Sequence, residues 1–171
     1  MIVTPALLHQ IDNLAPRFSE LAIVTLVVLE LRNVFKGESM KLSMGISYSD
    51  GFKQAADRVV ELEKAGLDQV WIAEAYSFDA ISQVGYLAAK TNRIEIGTGI
   101  VNVYSRTAAL MAMTAAGCDY VSEGRFILGL GASGPQVIEG FHGVPYEKPM
   151  QRIKEYIEVC RNVWAREAPL E

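Results

Sequence analysis

Cysteine and histidine are scarce in this chain, with two of each among 171 residues. Cys118 and Cys160 lie far apart, outside any C-x-x-C spacing, and each falls between apolar neighbours on a helical pattern. That pattern excludes a disulfide scaffold, so both read as reduced core thiols. His9 and His142 have no ligand spacing around them, so no metal site is expected. Basic clusters are missing too: 16 Lys and Arg stand against 20 Asp and Glu, a net charge of −4. Nucleic acid and anionic membranes both need a basic face, so the expected partner is a small molecule. No apolar run is long enough to span a bilayer. In the strongest, residues 21–35 (LAIVTLVVLELRNVF), Glu30 and Arg32 leave nine uncharged residues where a span needs about 20. The run also lacks a basic leading region and a small-residue cleavage site, so a cytoplasmic protein is expected.

What is present is a chain half hydrophobic, long enough for one sizeable core. Residues 1–39 read as an N-terminal extension, either an appended or mis-started leader or a packed helix, because Met40 opens a first strand, KLSMGISY. Asp50 or Gly51 caps a helix whose apolar stripe is Phe52, Ala55, Ala56, Val59, Val60 and Leu62. QVWIAEA, residues 69–75, is a second strand. Asp79 caps a helix through Ile81, Val84, Leu87 and Ala88 that Asn92 closes. Residues 94–103, IEIGTGIVNV, form a third strand, and Thr107 opens an alanine-rich helix. RFILGLG, residues 125–131, is the fourth strand, and a helix runs from Gln151 to Arg166.

Four β-α units with strands this apolar require a parallel sheet covered by helices. Right-handed crossovers leave an open doubly wound sheet or a (β/α)8 barrel. The polar and Gly-rich residues gather just past three strand ends, at 74–77, 99–104 and 132–136, and a barrel carries its working loops on that rim.

Gly129, Gly131 and Gly134 match G-x-G-x-x-G, the spacing of a dinucleotide-binding turn. That fingerprint needs a helix opening at the third glycine and an acidic residue about 20 positions on. Pro135 can start a helix, but Gly140, Gly143, Pro145 and Pro149 interrupt the next dozen residues, so the fingerprint is incomplete.

The runs WIAEAYSFDA, RIEIGTGIVNVYSRTAALMAM and SEGRFILGLGASGPQVIEGFHG resemble the first half of the luciferase-like monooxygenase superfamily, in particular its branch of deazaflavin oxidoreductases using coenzyme F420. The resemblance covers Met40 to about Ala168. It implies an α/β fold that is half of a (β/α)8 TIM barrel with an extra N-terminal segment, in a family usually about twice as long. It further implies hydride transfer between F420 and an organic substrate, with FMN and dioxygen as the alternative, and a non-catalytic, self-associating half-barrel as another.

By that resemblance a non-prolyl cis peptide behind the ring corresponds to Gly99–Ile100, and Asn102 can offer donor and acceptor to a ring edge. Gly129 and Gly131 are then small because a side chain would meet a ring or the neighbouring strand. Ala132, Ser133 and Gly134 match the loop near the cofactor's side chain, with Gln136 and Glu139 weaker candidates. Glu74 or Tyr76 would handle the substrate's proton, although Glu74 fits equally a carboxylate bonded to a rim amide. Many relatives carry His after that acid, where this chain has Ala75. His142 reads more readily as a loop-packing residue. Arg106 is free to pair with a cofactor tail, Asp119 or Glu123. Strand edges left open in a half-barrel would favour a homodimer.

Overall fold

The computed structural model describes residues 41–46, 51–76 and 78–167. The readings of residues 1–39, of the first strand beyond Ile46 and of Asp50 fall outside them. Strand β1 (Ser43–Ile46) is followed by α1 (Phe52–Lys64), β2 (Gln69–Ile72), α2 (Ala80–Lys90), β3 (Glu95–Thr98) and β4 (Val101–Asn102). Then come α3 (Ala108–Val121), β5 (Phe126–Ile127), β6 (Leu130–Gly131), α4 (Pro135–Ile138) and α5 (Pro149–Ala165). Strands β1, β2, β3 and β5 form a parallel sheet in that order, and β4 and β6 form a parallel pair beyond it.

The sequential order decides the architecture. Crossovers of one hand that always add the next strand on the same side leave the helices on one face, which is the wall of a barrel. A doubly wound sheet must reverse direction at a switch point, and the described strands have none. The chain is therefore a partial (β/α) barrel.

Several element bounds differ from those read in the sequence. The third and fourth strands, expected to be continuous over 94–103 and 125–131, are each broken in two. The breaks lie side by side: Gly129 N donates to Thr98 Oγ1 at 3.0 Å, and Thr98 Oγ1 donates to Gly129 O at 2.9 Å. That hydroxyl bridges the strands where they part, and Gly129 O also accepts the amide of Val101 at 2.9 Å. Strand β2 stops at Ile72 because Glu74 is drawn off toward the next loop. Helix α2 stops at Lys90 rather than Asn92, whose amide donates instead to Glu63. Helix α5 starts two residues early, because Pro149 occupies the first turn, where a missing N–H does no harm. The caps at Gly51, Asp79 and Thr107 stand where expected, the last two accepting amides of their first turns.

Alternation along the strands sorts the two faces of the sheet. Val70, Ile72 and Ile96 are fully buried in one cluster with Val59, Leu62, Val84, Leu87 and Met111 of the helices. The opposite face, the interior of a barrel, carries the row Gly45, Trp71, Gly97 and Ile127. A Cβ on Gly97 would fall 2.3 Å from Trp71 Cζ3, so the indole lies directly over that glycine. Gly97→Ala should cost about 1–3 kcal/mol and shift the emission of Trp71, read by fluorescence and urea unfolding in a Trp164→Phe background.

At the N-terminal ends of the strands, Glu63 Oε1 accepts from the amides of Asn92, Arg93 and Ile94 at 3.0, 2.6 and 2.8 Å. Partial burial works against the ionised carboxyl, but these amides and the Arg93 charge outweigh it and hold the group below the usual carboxylate range. A folded pKa below the unfolded one adds stability above the unfolded value, and that stability is lost as pH falls through the folded value. The contribution of Glu63 to the unfolding midpoint should therefore be lost only as pH falls below the usual carboxylate range, and Glu63→Gln should lower the neutral midpoint and flatten that drop.

Candidate functional site

The loops after β2, β4 and β6 meet at the C-terminal rim, where barrel enzymes keep their chemistry. Glu74 and Arg106 join the first two. Arg106 Nη1 and Nη2 donate to Glu74 Oε1 and Oε2 at 2.7 and 2.9 Å, a bidentate pair with side chains only 13% and 9% exposed. Glu74 Oε2 also accepts the amide of Ala80, the first residue of α2, at 2.8 Å. Hydrogen bonding to Glu74 raises the Arg106 pKa above its ordinary value. Of the partners left open for Arg106, a cofactor tail, Asp119 or Glu123, the described ion pairs include neither acid: Arg106 turns to Glu74, with Asp79 at 4.0 Å. Burial works against the Asp79 carboxylate, but the Ser82 hydroxyl, the amides of Ser82 and Ile81 and the Arg106 charge together lower its pKa.

Between β3 and β4 the Gly99–Ile100 peptide bond is cis. Two residues later Asn102 is buried, and its Oδ1 accepts the amides of Tyr104 and Ser105 at 3.0 and 2.7 Å. The acceptor expected for a ring edge is thus turned inward onto the loop. Gly131 pairs with Asn102 in register, and a Cβ there would meet Ile100 at 3.4 Å. The crowding expected at Gly129 comes from the neighbouring strand: a Cβ would lie 1.8 Å from the Thr98 carbonyl oxygen.

The loop Ala132–Gly134 comes directly after β6. Ser133 has φ +57°, and its carbonyl accepts the Tyr146 hydroxyl at 3.1 Å. No acceptor among the described residues takes the amides of Ala132, Ser133 or Gly134. Helix α4 does open at Gly134, but with four residues it is too short to act as a dinucleotide-binding helix.

Tyr76 is 60% exposed, and its ring meets that of Phe141 edge-on at 5.8 Å. The sequence reading missed the scaffold around Tyr104, Tyr146 and Arg152. Arg152 Nε donates to Val103 O at 2.9 Å, its guanidinium lies 4.6 Å from the Tyr104 ring centre, and Tyr104 packs on Tyr146 at 5.4 Å. Their spacing carries no local pattern, so only alignment of homologues would have singled them out.

A groove of about 1170 Å³ opens on the helix side of the fourth strand, between α3 and α5. It contains none of Glu74, Tyr76, Asn102 or residues 132–134. Cys118 and Cys160 are buried free thiols, and burial pushes both pKa values up. Among the described residues no His, Cys, Asp or Glu group could hold a metal ion, and no helix is long and apolar enough to cross a membrane.

The sequential parallel strands and their covering helices define a partial (β/α) barrel. The family model for luciferase-like monooxygenases matches residues 36–171, and the chain belongs to that family. A protein of Mycobacterium tuberculosis assigned to the coenzyme F420-dependent oxidoreductases is 41% identical over 133 residues, 77% of this chain and 38% of that protein. The 5,10-methylenetetrahydromethanopterin reductase of Methanolobus tindarius is 36% identical over 129 residues, 74% of this chain and 39% of the reductase. A likeness of fold alone links the oxygenating constituent of 3,6-diketocamphane monooxygenase from Pseudomonas putida, in complex with FMN. Its TM-score is 0.68 at 18% identity, over 78% of this chain and 42% of that one. The chain spans about two fifths of the length of the curated relatives it matches.

Proposed function

We propose that this chain carries the ring-binding part of an oxidoreductase in which coenzyme F420 lies at the C-terminal rim and hydride passes between it and an organic substrate. The observation that carries this reading is the run of amides at residues 132–134 that no described acceptor takes, beside strand ends where Gly129 and Gly131 leave no side chain. Gly99 and Ile100 would back the ring, and the Ala132, Ser133 and Gly134 amides would receive ribityl or phosphate oxygens of its side chain. Those residues fit such a group: the amides are uncommitted and the glycines keep the strand ends free of side chains. Asn102 would hold the turn that shapes the pocket floor.

When bound, the deazaflavin supplies two electrons as hydride. The protein's part is orientation and exclusion of water. Glu74, paired with Arg106, would fix the β2 loop, and the exposed Tyr76 phenol would exchange the substrate's proton. The resemblance in fold to an FMN-bound monooxygenase supports a second reading, FMN with dioxygen.

Titration of the chain with F420 and with FMN, followed by fluorescence and by oxygen uptake of the reduced forms, separates these. Saturable F420 binding without oxygen uptake is expected. Oxygen-dependent turnover of FMN would favour the monooxygenase, and binding of neither ring a non-catalytic half-barrel. Size-exclusion chromatography of the same samples tests self-association through the open strand edges.

A further inference from the structure

We infer that His142 is a further catalytic residue of this rim: its imidazole, fixed by Asn102 as the neutral tautomer protonated on Nδ1, donates a hydrogen bond to the carbonyl oxygen of a flat, apolar substrate. The inference deepens the hydride-transfer reading and rests on it for the reaction, although the tautomer itself does not depend on it.

The orientation of the Asn102 side chain comes first. Its Oδ1 accepts two backbone amides, those of Tyr104 and Ser105, so the other end of the amide must be the NH2 group. That Nδ2 faces His142 Nε2 at 3.4 Å. An amide NH2 can only donate, so Nε2 must present its lone pair. A neutral imidazole carries one N–H, which then sits on Nδ1. Among the described residues nothing accepts from Nδ1.

The backbone holds this ring in place. His142 N donates to Val137 O at 3.1 Å, and Val144 N to Ile138 O at 3.1 Å, so the loop is tied to α4 on both sides of the histidine. The ring meets Phe141 at 5.2 Å and 77°, and Phe141 meets Tyr76 at 5.8 Å and 79°. Tyr76 and Phe141 are both more than half exposed. Two rings more than half exposed therefore adjoin an imidazole whose Nδ1–H has no described acceptor, held at the end of β4 by Asn102. Such a surface fits a planar apolar body with one hydrogen-bond acceptor.

The chemistry balances without a proton leaving the histidine. The substrate carbon gains hydride and its two electrons from the reduced deazaflavin, the carbonyl π pair moves to oxygen, and Nδ1–H stabilises the charge that grows there. The oxygen then takes its proton from the Tyr76 phenol, which is exposed at the rim and regains a proton from solvent.

Long-range ¹H–¹⁵N correlation of the histidine rings reads the tautomer directly, with no cofactor present. His142 should carry its proton on Nδ1, and Asn102→Asp, which replaces the donor by an acceptor, should move it to Nε2. A proton on Nε2 in the unmodified chain overturns the inference. The second measurement titrates benzaldehyde against styrene, which has the same outline and no oxygen, and tracks the Nδ1–H resonance. The aldehyde should bind about tenfold more tightly, the worth of one hydrogen bond, and shift that resonance. His142→Phe should abolish the preference, and His142→Gln, which keeps an N–H donor, should restore most of it. Equal binding of the two probes by the unmodified chain, or an undiminished preference in His142→Phe, refutes the role. F420 binding is measured on the same samples, so failure of the ring to bind sinks the hydride-transfer reading while leaving the donor result to stand or fall separately.

Discussion

Gly129→Ala should destabilise the chain by about 3 kcal/mol or more, or prevent folding, although it adds a single methyl group. The added carbon would lie 1.8 Å from the Thr98 carbonyl oxygen, a backbone atom that no rotamer change can move aside. Relief requires β5 and β6 to withdraw from β3 and β4, breaking both bonds between Thr98 Oγ1 and Gly129. Gly117→Ala is the control. Gly117 lies on the exposed face of α3 with open space around it, so alanine there should stabilise by about 0.5–1 kcal/mol through helix propensity. Urea unfolding checks both, and the two substitutions should move the midpoint in opposite directions. Similar midpoints would mean that the strands are not held as closely as the geometry requires.

Removing Glu74 should have an effect of the same order. Glu74→Ala leaves the Arg106 guanidinium nearly buried without its counter-charge, and Arg106→Ala strands the carboxylate in the same way. Each should cost about 3 kcal/mol, because the lone partner keeps its desolvation cost and loses its attraction. The double variant Glu74→Ala, Arg106→Ala should cost clearly less than the two single changes added together, and a double-mutant cycle measures the difference. Additive losses would show that the two side chains act separately. The pair joins the β2 loop to the loop after β4, so the single variants should also weaken the proposed binding of F420.

Much of the fold was legible in the residues. The shift from short apolar runs to helical stripes marked four β-α units, because a strand or an amphipathic helix writes its period into neighbouring positions. Asp79 and Thr107 were readable as caps because a cap bonds amides two or three residues on. The rim loops stood out by composition. The strand breaks did not, since Gly99 and Gly129 look like any glycine in an apolar run until β3 and β5 lie side by side.

The pairings within the site were the least legible. Glu74 and Arg106 are 32 positions apart, and Asn102 and His142 are 40. Parallel strands return to the same rim only after a whole helix has intervened, so no local spacing records which loop residues will meet. The sequence read Glu74 as a proton-handling group or a carboxylate bonded to a rim amide, and the Ala80 amide does bond it, but no local spacing could name Arg106.

By itself, the sequence determined the order and kind of the elements, the place of the caps and the resemblance to a family, since each depends on residues close together in the chain. The tertiary structure alone decided which charges neutralise each other, which rim amides are left without a described acceptor and which way the Asn102 amide faces. Those outcomes are set by distances across strand ends, and such distances exist only once the sheet has formed.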